Sequence, residues 1–155
     1  MNLPKCDFHT NSKLAEKILP NGFNSIMLFG TVFSKLPKLT DKQRLHENTH
    51  VAQWQDCVAL GFVIAIISLC TLLSFDIAEY WMYIFCPLPF VLFYILYGLE
   101  FMYNRYIKKQ SSIKAYLNIS FEKHARHCAA TWNEPCERQN FYQSFDWWRT
   151  KFPNV

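Results

Sequence analysis

Two long apolar runs constrain the fold of this chain more than any other feature. Residues 57–75 (CVALGFVIAIISLCTLLSF) and 80–99 (YWMYIFCPLPFVLFYILYGL) contain no Asp, Glu, Lys or Arg. A helix needs about 20 apolar residues to cross the hydrocarbon core of a bilayer. The soluble alternative, a buried helical hairpin, would overfill the core of a chain of 155 residues. We therefore predict a mostly α-helical integral membrane protein in which transmembrane helices at about 57–75 and 80–101 form a hairpin.

The distribution of charge predicts how this hairpin is oriented. Its connection, residues 76–79, carries two acids and no basic residue, whereas all 16 Lys and Arg residues lie before Cys57 or after Leu99. Basic residues stay preferentially on the cytoplasmic side of a membrane. Both termini are therefore expected in the cytoplasm, with the lipid bilayer as a partner. We therefore interpret the net charge of +4 as a consequence of membrane orientation, and we predict no nucleic-acid partner.

The motif His46-Glu47-Asn48-Thr49-His50 predicts a metal site close to the first apolar run. Histidines four residues apart on a helix project from one face, so both imidazoles can bind one Zn²⁺. The glutamate between them lies beside the metal and can act as a general base. The alternative is a polar helix face on which the two histidines are incidental. On the metal interpretation, His46 and His50 are zinc ligands and Glu47 is the catalytic base.

A third ligand is expected from a second helix, which the sequence predicts from Ser120 onward with that serine as its N-cap. Glu122 is the leading candidate, because two histidines and one glutamate leave a coordination position open for water. The pair His127 and Cys128 is the chemical rival. His124 and His127 are three residues apart, and a site that used them would be closed and structural. His124 and His127 are further candidates for contact with metal or substrate.

Other local patterns place the motif in a single domain that spans residues 1–155. Thr40 and Gln43 form a capping-box pattern, so a helix should begin near Asp41 and continue into the first apolar run. Residues 23–34 alternate in a way that predicts a short strand or β-hairpin, which gives a small cytoplasmic α+β part. Gln53 shares the face of the two histidines and could bond to a ligand or be an interfacial amide.

These motifs together resemble a known class of enzymes. H-E-x-x-H followed downstream by Glu122-Lys-His-Ala125, an E-x-x-A pattern, resembles the gluzincin membrane peptidases, including the CAAX-prenyl-protease-like and BlaR-sensor-like families. The F-Y-x-x-Y-x-x-E run at residues 93–100 and the Asn118-Ile-Ser-Phe-Glu block are closer still to small integral-membrane HExxH proteins of Bacteroidetes and their phages. Where the peptidase pattern often has Asp after the alanine, this chain has Arg126.

The resemblance implies zinc bound by His46, His50 and Glu122, with Glu47 as base. It also implies that the α+β part is zincin-like and that the membrane is a bacterial inner membrane, and it adds Asn118 as a candidate to support a ligand or contact the substrate. The function expected from these patterns is a zinc metalloprotease that hydrolyses a peptide or protein substrate at the cytoplasmic membrane face. The alternatives are a metal-binding membrane sensor or binding protein without catalysis, and a structural membrane hairpin. The oligomeric state is left open.

Overall fold

A computed structural model describes residues 6–20, 22–74 and 78–130 as a mostly helical fold with one small sheet. The strands are β1 (Phe8–His9), β2 (Ser25–Leu28) and β3 (Thr31–Ser34). The helices are α1 (Lys13–Ile18), α2 (Asp41–Leu73), α3 (Ala78–Phe85), α4 (Leu88–Met102), α5 (Ser112–Leu117) and α6 (Ser120–Ala130), and a π-helical turn, Tyr103–Ile107, follows α4. The expected helical fold with a small α+β part is confirmed.

The long helix α2 begins where the capping pattern predicts. The hydroxyl of Thr40 accepts a hydrogen bond from the backbone N–H of Gln43, whose side chain accepts one from the backbone N–H of Thr40 at 2.9 Å. These bonds satisfy two N–H groups that would otherwise lack partners at a helix start. The helix then runs unbroken for 33 residues and joins the HExxH motif to the first apolar run.

The predicted hairpin at residues 23–34 is confirmed as β2 and β3, which pair in antiparallel register. Phe29 and Gly30 form the two-residue loop, and both have positive φ angles, 48° and 81°. This combination suits the right-handed twist of a tight hairpin. A Cβ atom at Gly30 would lie 2.9 Å from the ring of Trp54, so the turn packs directly on α2.

Sequence patterns missed the third strand. β1 has only two residues and pairs in parallel with β3, which gives the order β1-β3-β2 and leaves β2 at an edge of the sheet. Two residues are too few to show an alternation of apolar and polar side chains. They form a strand only because they pair with β3.

The second apolar run is broken into two helices. α3 ends at Phe85, Cys86 and Pro87 form a turn, and α4 begins at Leu88. Pro87 and Pro89 in this run predict a kink or a break, because proline lacks the N–H of an intrahelical bond and its ring clashes with the preceding turn. The structure confirms a break, at Pro87. Both halves pack against α2.

Within the described residues, α2 is the helix long and apolar enough to cross a membrane. α3 and α4, with eight and 15 residues, are each shorter than the span that crossing requires. The predicted hairpin of two continuous transmembrane helices is therefore not confirmed. Residues 76 and 77 of the connection and the tail at 133–155 fall outside the described residues. The aromatic, amphipathic composition of that tail predicts a segment that lies on the membrane interface or covers the site.

The core lies where α2, α4, α6 and the sheet meet. Its buried members include Val32, Val51, Phe93, Ile119 and Phe121. The rings of Phe93 and Phe121 pack edge to face with centroids 4.8 Å apart. This aromatic contact joins α4 to the start of α6, the helix that carries Glu122. Both α4 and α6 also pack against α2, the helix that carries the two histidines.

Candidate metal site

The two histidines of the motif converge as their spacing predicts. Their Nε2 atoms lie 3.3 Å apart on one face of α2, and the imidazole rings are nearly perpendicular. His50 is buried and His46 is partly exposed to the neighbouring cavity. Helix geometry alone accounts for this arrangement, because residues four apart stack one turn above the other.

Glu122, in the first turn of α6, supplies the third group. Its Oε1 lies 3.1 Å from Nε2 of His50, and its Oε2 lies 3.6 Å from Nε2 of His46. The ligand atoms of the three residues lie within 4.8 Å of one another, so this group could hold a metal ion. Among the described residues, no such group includes the rival ligands His127 and Cys128.

A tyrosine that sequence reasoning passed over orients this carboxylate. The hydroxyl of Tyr97, on α4, donates to Oε1 of Glu122 at 2.8 Å. Tyr97 belongs to the F-Y-x-x-Y-x-x-E run, but in the sequence it stands within an apolar segment that suggested only a membrane helix. The only signal was its phenol, since a tyrosine hydroxyl usually finds a partner when it is buried.

Gln53 is placed behind His50, as its position on the helix face suggested. Its Oε1 lies 2.9 Å from Nδ1 of His50, and its Nε2 donates to the backbone carbonyl of Phe121 at 3.1 Å. Because that carbonyl can only accept, the amide oxygen must face His50. Nδ1 of His50 therefore carries a hydrogen and Nε2 is the atom available to a metal, as in most histidine metal sites.

His124 completes this chain of hydrogen bonds outside the ligand group. Its Nδ1 lies 3.0 Å from Nε2 of Gln53 and accepts the second amide hydrogen. Burial, and then the neighbouring His127, lowers the pKa of His124 to about 4, so that the acceptor nitrogen stays unprotonated. His124 thus holds the Gln53 amide and does not reach the metal position directly.

Glu47 lies beside the ligand group in a position suited to a base. It is buried on α2, lines the same cavity, and accepts a short hydrogen bond from the hydroxyl of Ser25 on β2. Burial raises the pKa of Glu47 above its usual value. A raised pKa brings a carboxylate closer to the optimum for proton transfer near neutrality. Ser25 was not predicted, because a serine in a strand carries no signal of its own.

The charges of the ligand group are coupled. Burial opposes ionisation of Glu122, but the facing His50, with His46 and the hydroxyl of Tyr97, outweighs it and lowers the pKa of Glu122 to about 2. Burial likewise opposes protonation of His50, but Glu122 raises its pKa to about 9. Burial and the charge on His50 lower the pKa of His46 to about 4. Without metal, protonated His50 and ionised Glu122 therefore form an ion pair. The proton on His50 then supplies the positive charge that a bound metal ion would otherwise supply.

An open cavity of about 270 Å³ gives access to these groups. Its polar end is formed by His46, Glu47, His50 and Glu122, and strand β2 forms one wall. The remaining lining is apolar or aromatic: Leu19, Phe23, Phe93, Tyr94, Tyr97 and Tyr116. A polar end in an apolar cleft is the usual form of a site for a small or extended ligand.

Asn118, the remaining candidate, lies away from the ligand group. It ends α5 as its C-cap, and its side-chain amide donates to Oε1 of Gln110 at 2.9 Å. A structural role in the α5–α6 turn accounts for it. Cys6 makes a contact that was not expected, since its thiol donates to Oδ1 of Asn48, a middle residue of the motif, at 2.7 Å.

Comparison with known proteins does not identify a family for this fold and site. No family model, no curated protein and no solved structure matches the chain. The resemblance to gluzincin membrane peptidases accordingly stays an expectation based on the motifs, and the geometry of the site carries the functional argument.

Proposed function

We propose that this protein is a zinc-dependent membrane metallopeptidase that hydrolyses peptide bonds at the cytoplasmic membrane face. One observation carries the proposal. Two distant segments bring His46, His50 and Glu122 into one group, and Glu47 lies beside it in an open cavity. A chance HExxH sequence would not be expected to meet a buried carboxylate from another helix.

The donor set of the group fits zinc. Two imidazole nitrogens and one carboxylate are the ligands of several catalytic zinc sites, which leave one position open. The Gln53 contact holds His50 in the tautomer that a metal requires, and Tyr97 holds the carboxylate of Glu122. When bound, zinc supplies Lewis acidity that polarises a carbonyl and makes water a better nucleophile.

Glu47 is the residue proposed to move protons in the reaction. Its raised pKa and its position on the cavity wall let it accept a proton from the attacking water. It would then deliver that proton to the leaving amine. The hydroxyl of Ser25 holds Oε1 of Glu47, which leaves the other oxygen for this transfer.

Strand β2 supports a peptide as the substrate. It is at an edge of the sheet, lines the cavity, and reaches the base through Ser25. An unpaired edge offers N–H and C=O groups with which an extended peptide can pair as an additional strand. A substrate bound in this way would present its backbone carbonyls to the ligand group.

Membrane residence is supported by the surface beyond Cys57. α2 is long and apolar enough to cross a bilayer, and large apolar side chains of α2 and α3 are exposed there, including Ile66, Ile67, Trp81 and Tyr83. Exposed apolar patches of this extent are rare on soluble monomers. With the charge distribution described above, this favours an inner-membrane protein with both termini in the cytoplasm.

The first experiment measures zinc per chain in detergent-purified protein. We expect about one zinc ion in the unaltered protein and much less in Glu122→Ala, because the variant loses one of three ligands. Glu16→Ala removes an exposed acid of α1 and is the matched control, which should retain zinc. Absence of zinc from the unaltered protein after reconstitution would overturn the proposal.

The second experiment separates catalysis from metal binding. Glu47→Gln should retain zinc and lose peptide hydrolysis by about 10²–10⁴-fold, the contribution typical of a general base. Activity that survives in Glu47→Gln would exclude the proposed mechanism. Zinc binding without hydrolysis of any peptide in the unaltered protein would instead favour the alternative, a metal-binding membrane sensor or binding protein.

A further inference from the structure

Helix α4 has two opposite faces at the level of the metal site. Phe93 and Tyr97 line the cavity, and Tyr97 reaches Glu122. Ile95, Leu99 and Met102 point the other way and are 43%, 55% and 51% exposed. Residues two apart on a helix project about 200° apart, and a helix with its side chains is about 10 Å thick. One helix therefore separates the ligand group from an exposed apolar surface.

This apolar stripe has the form of a lipid contact. Ile95, Leu99 and Met102 recur at helical spacing, and Tyr106 continues the stripe through the π-helical turn, where it is 69% exposed. The stripe ends at three exposed lysines: Lys108, Lys109 and Lys114. Basic residues at the end of an apolar helix complement anionic lipid headgroups.

The contacts between α4 and α2 give the level of this stripe. Gly61 of α2 packs on Pro89 at the start of α4, and the indole of Trp54 donates to the backbone carbonyl of Phe90. With the part of α2 after Cys57 in the bilayer, Ile95 and the residues that follow it therefore lie at the membrane boundary. The ligand group then lies beside the membrane surface, and α4 is the partition between them.

The tip of the β2–β3 hairpin extends this surface to the cavity mouth. Phe29 is 58% exposed although it is aromatic and stands in a left-handed backbone conformation. Its N–H donates to the hydroxyl of Tyr94 on α4 at 2.7 Å, and the two rings are in edge contact. An exposed phenylalanine fixed to a lipid-facing helix is suited to insertion into the membrane surface.

We propose that the bilayer covers the outer face of α4 and the tip at Phe29, and that the site takes its peptide from the membrane. The substrate class is an apolar segment of a membrane-anchored chain, drawn into an extended form along β2. The apolar cavity lining and the position of β2 between the Phe29 tip and Glu47 favour such a segment. The lipid contact stands independently, whereas the substrate class rests on the proposed function.

The lipid contact is tested by photocrosslinking in vesicles of phosphatidylethanolamine and phosphatidylglycerol. Benzoylphenylalanine is incorporated at Leu99 or Phe29, and lipid adducts are detected by mass spectrometry. We expect adducts at both positions and none at Lys42, an exposed residue of α2 before the motif. Absence of adducts at Leu99, or equal adducts at Lys42, would overturn the lipid contact.

The substrate class is tested with one apolar peptide sequence, presented free or fused to a transmembrane helix, in the same vesicles. We expect kcat/KM at least about tenfold higher for the anchored form, because anchoring raises its effective concentration at the site. Leu99→Lys should reduce cleavage of the anchored form and leave cleavage of the free peptide unchanged. Equal cleavage of both forms would overturn the substrate class and leave the peptidase intact. Cleavage of neither form by zinc-loaded protein would overturn the peptidase as well.

Discussion

The two halves of α2 differ in what they bury and what they expose. Before Cys57 the helix buries polar side chains, namely Glu47, Thr49, His50, Gln53 and Asp56. After Cys57 it exposes large apolar ones, and Ile66 and Ile67 are 59% and 61% exposed. In water, the hydrophobic effect would favour the opposite distribution. One continuous helix thus joins a hydrogen-bonded polar interior to an exposed apolar surface.

The difference shows that the two halves are stabilised by different interactions. In the first half, the buried side chains of the motif are paired, His50 with Glu122 and Glu47 with Ser25, because an unpaired buried polar group is costly. In the second half, close packing matters most. The helix approaches α4 so closely at Gly61 that an added Cβ atom would lie 2.5 Å from Cα of Pro89. Each half can therefore be altered separately.

The largest effect is expected from a charge in the apolar half. Ile67→Lys should lower membrane insertion by about 2.5–3.5 kcal/mol, the cost of a lysine at the centre of a spanning helix. Resistance to carbonate extraction measures insertion, and Ile67→Leu is the control that should behave like the unaltered protein. Zinc binding by the detergent-solubilised variant should be unchanged. A variant that still inserts fully would contradict the assignment of this half to lipid.

A methyl group at Gly61 should test the contact between α2 and α4. Gly61→Ala places its Cβ against the backbone of Pro89, and overpacking of this kind typically costs about 1–3 kcal/mol. Gly98→Ala is the control, because no atom lies within 4 Å of its added Cβ, and alanine favours a helix by up to about 1 kcal/mol. Thermal unfolding in detergent should therefore shift down for Gly61→Ala and not for Gly98→Ala. Equal shifts would mean that the close approach is unimportant.

The first half of α2 was more predictable from sequence than its surroundings. The capping pair at Thr40 and Gln43, the helical spacing of His46 and His50, and the shared face of Gln53 are local relations, which the period of a helix determines. Glu122 was a choice between chemical rivals, and the fold supports it by placing α6 across α2. Local rules cannot fix such a contact between residues far apart in the sequence.

What the sequence did not predict depends on tertiary contacts. Tyr97 stands in an apolar run, so its bond to Glu122 was not expected. Ser25 belongs to no recognisable motif, although it donates to Glu47. The two residues of β1 form a strand only because they pair with β3. The resemblance predicted that Asn118 belongs to the site, whereas in the structure this residue is the C-cap of α5.

Loss of the Gln53 amide should weaken metal binding without affecting the apolar half. Gln53→Ala removes the acceptor for Nδ1 of His50, and loss of such partners typically costs 10–100-fold in metal affinity, about 1.4–2.7 kcal/mol. Gln55→Ala, at an exposed position of the same helix, is the matched control. Zinc competition with a chelator measures the difference. Unchanged affinity in Gln53→Ala would show that the tautomer of His50 is held by other means.

The smallest effect concerns pH. In the metal-free protein, Glu122 raises the pKa of His50 from its ordinary value of 6.5 to about 9. The stabilisation from this protonated pair is complete below pH 6.5 and is lost as pH rises through 9. Zinc must displace the same proton, so metal binding should strengthen over that range.

The melting temperature in EDTA should therefore fall from pH 7 to pH 9. Over the same range, the increase in melting temperature that added zinc produces should become larger. Glu122→Gln removes the cause of the shift. It keeps the thiol of Cys6, whose pKa burial raises, and this thiol also makes the fold more stable at lower pH. The melting temperature of the variant in EDTA should therefore still fall, but less steeply. Parallel curves for the two proteins would show that no proton is held between His50 and Glu122, and that the polar half of α2 is organised for the metal alone.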